Sequence, residues 1–199
     1  VIAANGAKFV EHHVQRRRAA QYLAVRVITT LDHFMAGCVL VAQDRGQITS
    51  DGLHVEPSAA LPKLEFEGLD VDWKAIEPHL AYSVLGLPNE VAAAERVVAE
   101  NFDPRNVPSD DYDVRQFQFA RLGIVAHDVI CRLTRVAGLP AYSPERKNRL
   151  RSLELSFERR RQERESWKKK MAELGRQAAE SAEASNRALR EARGEIDPA

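Results

Sequence analysis

The chain has 199 residues, of which 44% are hydrophobic, and it carries 29 basic and 29 acidic side chains. This length and apolar content suffice for one moderate hydrophobic core. The two cysteines, Cys38 and Cys131, are too few for a disulfide framework, and both lie in apolar runs. Such cysteine usage favours a reducing compartment over a secreted, disulfide-stabilised protein.

The zero net charge conceals a segregation of charge along the chain. Residues 46–113 carry four basic and fourteen acidic groups, whereas residues 145–170 carry eleven basic and five acidic groups. Two segments of opposite charge can attract each other within one chain or between copies, or they can face different partners.

The first predicted helix covers residues 7–44 and is closed by Gly46. Its apolar residues recur at steps of three and four, which predicts a face turned toward a core. Residues 1–7 before it are small and apolar, and three arginines follow at residues 16–18. This order is typical of an N-terminal anchor whose C-terminal side faces the cytoplasm, and the alternative is a surface helix with a basic first turn. No stretch reaches the ~18 apolar residues that a membrane span needs, so only the tail of such an anchor would be visible.

Residues 46–71 are too rich in glycine, proline and serine for a helix and predict a long connection. Leu64 and Phe66 are apolar anchors in its second half. We therefore expect at least residues 61–71 to pack on the helices, while the order of residues 46–60 stays open.

Cap residues divide the next segment. Asp72 is predicted to cap a short helix that starts at Trp73, and Trp73 can fill the bundle beneath the connection. Residues 86–88, Gly-Leu-Pro, predict a stop, after which Asn89 would cap a new helix over residues 90–101. These three residues have structural explanations and need no ligand.

Two further helices complete the prediction. The first covers residues 109–137, and its acidic start at residues 110–113 suits a helix N-terminus or, alternatively, a divalent cation. The second begins at Ser143-Pro144 and runs to residue 193, a length of roughly 75 Å. The predicted fold is an all-α bundle of about four helices with one long irregular connection. Its body covers residues 1–143, and residues 144–199 form an extended charged helix, with a coiled coil as one form.

Arg121 and His127 are the one candidate catalytic pair. Their spacing on a helix is similar to the motif of the all-α HEPN ribonucleases, where an arginine and a histidine act on an RNA phosphate and 2′-hydroxyl. Leu122 stands where that family usually has a polar residue, and Arg26 with His33 gives a second match of the same kind. We therefore interpret Arg121 and His127 as structural, with the ribonuclease as an alternative.

The usual signatures of metal and cofactor sites do not occur. The sequence has no His-x-x-x-His or Cys-x-x-Cys pair and no glycine-rich phosphate loop. No metal or cofactor is expected.

Two basic clusters flank an aromatic residue in the last helix. Such a pattern can bind nucleic acid or an acidic membrane surface. Interleaved glutamates indicate instead the ion pairs of a solvated helix, and an apolar seam interrupted by Arg160 and Arg164 favours a weak coiled coil. The residues expected to contact a partner or an anionic surface are Arg159, Arg160, Arg161, Trp167, Lys168, Lys169 and Lys170.

Three segments together resemble a family of small bacterial proteins that have a short N-terminal hydrophobic anchor and a helical cytoplasmic body. They are Leu61-Pro62-Lys63-Leu64-Glu65-Phe66, Asp72-Trp73-Lys74 with Pro78, and Leu87-Pro88-Asn89-Glu90-Val91. The match covers roughly residues 20–144 and does not extend to the helix after Leu155. The resemblance implies an anchored all-α protein on the cytoplasmic side of the inner membrane, with no assigned activity.

The sequence as a whole predicts a non-enzymatic, membrane-proximal interaction or scaffold protein. Its C-terminal helix would contact a protein partner or a second copy, and the membrane would be reached through a segment before Val1. The alternatives are a HEPN-like ribonuclease using Arg121 and His127, and binding of nucleic acid or acidic lipid through residues 145–170.

Overall fold

The structure is a computed structural model that describes residues 2–48, 55–101, 109–140 and 143–193. Four α-helices dominate these ranges and confirm the predicted all-α bundle. The elements are α1 (Ile2–Gln43), β1 (Gln47–Ile48), β2 (Val55–Glu56), a 3₁₀ helix (Trp73–Ala75), α2 (Pro78–Glu100), α3 (Ser109–Ala137) and α4 (Pro144–Ala192). The two short strands form an antiparallel hairpin in which Gln47 pairs with Glu56.

Helix α3 lies at the centre of the bundle and makes its largest interface with α1. The two helices are antiparallel, because Gln21 of α1 donates a hydrogen bond to the Ala137 carbonyl while Asp44 pairs with Arg115. The buried side chains of α1 recur at steps of three and four and include Leu23, Val27, Leu31, Met35 and Cys38. The apolar periodicity of α1 predicts this core face only in part, because the apolar residues Val14, Tyr22, Val25 and Leu40 of the same helix are exposed.

Gly123 marks the closest approach of three helices. A Cβ atom at this position would lie 2.7 Å from a methyl carbon of Leu153 in α4 and 3.0 Å from the Cβ of Cys38 in α1. Both neighbours are fully buried. Phe157 of α4 also stacks on Phe117 of α3, with ring centroids 4.8 Å apart. The first turns of α4 are thus part of the core.

The long connection packs on the bundle, as the apolar anchors predict. Leu64 and Phe66 are buried, and Trp73 packs edge-on against Phe66 with ring centroids 6.2 Å apart. Asp72 caps the 3₁₀ helix, since its carboxylate accepts a hydrogen bond from the Lys74 amide at 3.0 Å. These contacts confirm the predicted roles of Asp72 and Trp73.

The predicted stop at residues 86–88 is wrong. Helix α2 is continuous from Pro78 to Glu100, with Pro88 inside it. An interior proline costs about 3 kcal/mol, but Val84, Leu87 and Val91 around it are buried, and each stabilises by about 1.5–3 kcal/mol. Asn89 consequently lies in mid-helix and caps nothing.

Helix α1 begins at Ile2 and not at the predicted residue 7, but the ends around residues 138–144 follow the sequence signals. At the end of α3, Gly138 adopts a positive φ of 63°, and the Leu139 amide donates to the Thr134 carbonyl at 2.9 Å. This is the arrangement for which glycine is favoured after a helix. Ser143 caps the N-terminus of α4, because its hydroxyl oxygen accepts a hydrogen bond from the Arg146 amide at 3.4 Å.

The chain forms two units, residues 1–158 and 159–199. The first contains the bundle with the first turns of α4, and the second contains the rest of α4. Some predictions fall outside the described residues: the order of residues 49–54, the turns within residues 102–108, and any anchor at or before Val1. The same holds for the side chains of residues 2–10 and 109–112.

Candidate functional site

The strongest polar cluster is an ion pair inside the first unit. Asp44 follows the end of α1 and is 4% exposed, and Arg115 of α3 is 6% exposed. An Arg115 nitrogen lies 2.9 Å from the Asp44 carboxylate. Neither residue was singled out from the sequence. The only signal was a charged residue inside the apolar face of a helix, in the run Val114-Arg115-Gln116-Phe117.

Hydrogen bonds satisfy the Asp44 carboxylate from several directions. It accepts from the Gly46 amide at 2.9 Å, the Ser58 amide at 3.0 Å and the Ala59 amide at 2.9 Å. Burial alone would raise the pKa of Asp44, but the hydrogen bonds from Ser58, Ala59, Gly46 and Arg115 outweigh it and lower the pKa to about 2. The carboxylate therefore stays ionised at neutral pH.

The same cluster ties three segments together. Arg115 also donates to the Ala59 carbonyl, and the Gln116 side chain donates to the Asp44 carbonyl. The end of α1, the connection after β2 and the start of α3 are thereby fixed to one another. Because the contacts of the cluster that the structure describes are internal, the cluster serves folding.

The structure does not bring Arg121 and His127 together. Arg121 faces α2, where it lies 3.2 Å from the Glu90 carboxylate. His127 lies instead beside Cys131, with 3.6 Å between its Nε2 and the sulfur. The two candidate catalytic residues thus occupy different faces of α3.

His127 borders a second ion pair that connects α1 to α4. Arg146 donates two hydrogen bonds to the Asp32 carboxylate, at 2.8 and 2.6 Å. Burial lowers the pKa of His127, and the positive charge of Arg146 lowers it further. His127 is therefore neutral at pH 7.

A shallow cleft of about 450 Å³ lies between α1 and the connection. Small-molecule sites are usually enclosed, with a few convergent polar groups. This cleft is open, and its lining consists of Thr30, His33, Phe34, Pro62, Lys63 and Glu65. Among the described residues, no group of three or more His, Cys, Asp or Glu side chains could hold a metal ion.

Large apolar side chains lie exposed in the second unit. Trp167, Met171 and Leu174 are 56%, 45% and 47% exposed. Their spacings of four and three residues place them on one face of α4. We call these three residues the Trp167 row. Exposed aromatic and aliphatic groups in such a row are typical of a contact surface.

The charged residues around the row form surface ion pairs, as the interleaved glutamates predict. Arg160 lies 2.6 Å from Glu163, and Arg176 lies 2.8 Å from Glu173. The hydrogen bond from Arg176 lowers the pKa of Glu173. The exposed lysines 168–170 form no ion pair with any residue in the described ranges.

Helix α1 contains a stretch, His13–Gln43, that is long and apolar enough to cross a membrane, with a mean hydropathy of 1.5. A count of unbroken apolar residues missed this stretch because single polar residues interrupt it. Of its most apolar window, 39% is buried inside the bundle. A core helix and a membrane segment share this composition, so the stretch alone assigns neither role.

No family model matches the chain, and neither a curated protein nor a solved structure matches it. The resemblance to the anchored bacterial family accordingly stays a prediction from the sequence. The geometry of the two units is the basis for a proposal about function.

Proposed function

We propose that the chain is a non-enzymatic interaction protein that works beside a membrane, on its cytoplasmic side. The first unit is the scaffold, and residues 159–193 are the contact element. The observation that supports this division most directly is the Trp167 row. Three large apolar side chains, each about half exposed to water, gain from any partner that covers them.

That gain is one contribution to a contact, because by itself it is smaller than the cost of association. Fully burying a large apolar side chain stabilises by about 1.5–3 kcal/mol, so covering the exposed halves of three such residues contributes roughly 3 kcal/mol. Neighbouring charges keep the helix soluble when it has no partner. The polar cluster around Asp44 has its partners inside the bundle and needs none outside.

The membrane-proximal part of the proposal rests on α1. Three arginines at residues 16–18 are exposed on this helix, and they follow the small apolar residues at the start of the chain. Positive residues of this kind mark the cytoplasmic flank of membrane anchors.

The experiment compares the full chain with a variant that carries Trp167→Ser, Met171→Ser and Leu174→Ser. The matched control is Leu155→Ser, which removes another exposed leucine of α4. Light scattering measures self-association, and sedimentation with membranes of the expression host measures membrane binding. We expect the wild type to associate in at least one assay, and only the triple variant to lose that association. A wild type that stays monomeric and unbound, or an unchanged triple variant, overturns the proposal.

The ribonuclease alternative has its own outcome. If the purified chain cleaves RNA and His127→Ala abolishes cleavage without changing the circular dichroism spectrum, the chain is an enzyme and the proposal is wrong. We expect no cleavage by either protein.

A further inference from the structure

The charges beside the Trp167 row are unevenly placed. A helix turns by about 100° per residue, so Lys168 and Lys170 lie about 100° and 60° away from Trp167, on opposite sides of it. On the same scale Glu165 and Glu173 lie about 160° and 120° away, on the far side of the helix. The apolar row is therefore bordered by lysines and remote from these two carboxylates, whereas Glu163, about 40° from Trp167, lies on the same face and is paired with Arg160.

The nearby carboxylates are also engaged. Glu163, Glu165 and Glu173 each pair with an arginine of the same helix, at 2.6, 3.9 and 2.8 Å. The lysines 168–170 have no such partner among the residues that the structure describes. Net positive charge is thus concentrated next to exposed apolar groups.

We propose that the Trp167 row and its flanking lysines bind an anionic lipid surface. Tryptophan occupies the interface between headgroups and acyl chains, where its ring is partly apolar and its N–H is wet. Met171 and Leu174 would enter the acyl boundary beside it. Lys168 and Lys170 have long apolar stems that let their ammonium groups reach lipid phosphates. This inference rests on the proposed function and names the partner of its contact element.

A second copy of the chain in parallel register fits this face less well. Two helices paired in parallel through the row would bring Arg164, Lys168 and Lys170 of both copies together, and like charges oppose that pairing. Nucleic acid could stack on Trp167 but would leave Met171 and Leu174 exposed to water. A lipid surface accommodates the aromatic, the aliphatic and the charged groups at once.

The test uses the full chain with two kinds of vesicle: phosphatidylcholine alone, and phosphatidylcholine mixed with an equal amount of phosphatidylglycerol. Co-sedimentation measures partitioning. In a Trp73→Phe background, fluorescence reports on Trp167 alone. We expect binding and a blue shift of the emission with the anionic vesicles only. Binding should weaken as salt rises, because salt screens the attraction between lysines and phosphates.

Variants locate the bound surface. Replacing Lys168 and Lys170 with glutamine should lower partitioning about thirtyfold, since each basic residue near an anionic surface contributes about 1 kcal/mol. The matched control replaces Arg187 and Arg190 with glutamine, which removes the same charge from exposed positions of α4 that lie about 160° and 140° away from Trp167. Trp167→Ser should weaken binding, whereas Leu155→Ser should not.

Each other result overturns the inference. If the arginine control loses as much binding as the lysine variant, the attraction is general and not located at the row. If the wild type ignores anionic vesicles but self-associates through the row, the lipid surface is the wrong partner while the interaction role stands. If it binds only RNA through the row, both proposals are wrong. If it does none of these, both proposals fail.

Discussion

In residues 1–158 the ion pair between Asp44 and Arg115 is buried, and Leu153 is fully covered by neighbouring helices. In residues 159–193 the ion pairs lie at the surface, and Trp167 is more than half exposed. Buried pairs and covered side chains are costly to disturb, whereas exposed pairs contribute at most about 1 kcal/mol. Substitutions in the first unit should therefore cost more stability than substitutions in the second.

The largest expected effect is at the buried pair. Asp44→Ala leaves Arg115 with an uncompensated buried charge and should lower the free energy of unfolding by about 3–5 kcal/mol. Urea unfolding followed by circular dichroism measures this. The control is Asp72→Ala, where an exposed cap is lost at a cost of about 1 kcal/mol. Equal losses of unfolding free energy for both variants would mean that the Asp44 cluster stabilises the protein no more than a helix cap does.

Two leucines of α4 test whether its first turns belong to the core of the first unit. Leu153→Ala should cost about 3 kcal/mol, because it opens a cavity where α4 meets Cys38 and Gly123. Leu155→Ala, on the exposed side of the same turn, should change stability by less than about 0.5 kcal/mol. Thermal unfolding of the full-length variants distinguishes them. Similar small losses would show that the first turns of α4 do not belong to the core.

Acid should weaken the first unit through Asp44. Its folded-state pKa of about 2 lies below its ordinary value of about 3.9, so the stabilisation is complete above about pH 4 and is lost as the pH falls toward 2. The loss amounts to about 2 kcal/mol. We expect the difference in stability between the wild type and Asp44→Asn to shrink over this interval. A constant difference would place the acid sensitivity at other carboxyl groups.

The smallest effect is expected at Arg121. Its pair with Glu90 is about half exposed, so Arg121→Ala should cost less than about 1 kcal/mol. Arg115→Ala, in the same helix, should cost several times more. Chemical denaturation measures the free energy of unfolding of both variants. A loss for Arg121→Ala as large as that for Arg115→Ala would mean that the exposed pair stabilises the protein as much as the buried one.

Local signals predicted most of the helices. Ser143 with Pro144 and the glycines at positions 46 and 138 act within a few residues of the ends they mark, so the sequence alone reveals them. Pro88 led to the wrong prediction of a helix end because it, too, is a local signal. Its local preference for a helix end is outweighed by the burial of Val84, Leu87 and Val91, which depends on the helix packed beside them.

The buried ion pair could not be predicted in this way. Asp44 and Arg115 are 71 positions apart in the chain, and each resembles an ordinary surface residue when its neighbours alone are considered. The face that carries Trp167 was visible in the sequence because all its members lie on one helix. Whether it is covered depends on tertiary structure, which periodicity does not specify.

The labelling rate of the buried Cys38 thiol reports how often the bundle opens. It is fully buried, and burial raises the pKa of its sulfur, so a thiol reagent reaches it only when the helices around Gly123 separate. Cys131 is exposed and reacts without such an opening. One labelling reaction therefore measures two rates. The rate at Cys131 gives the reactivity of an accessible thiol, and the ratio of the slower rate at Cys38 to it gives the equilibrium between closed and open states of the junction around Gly123.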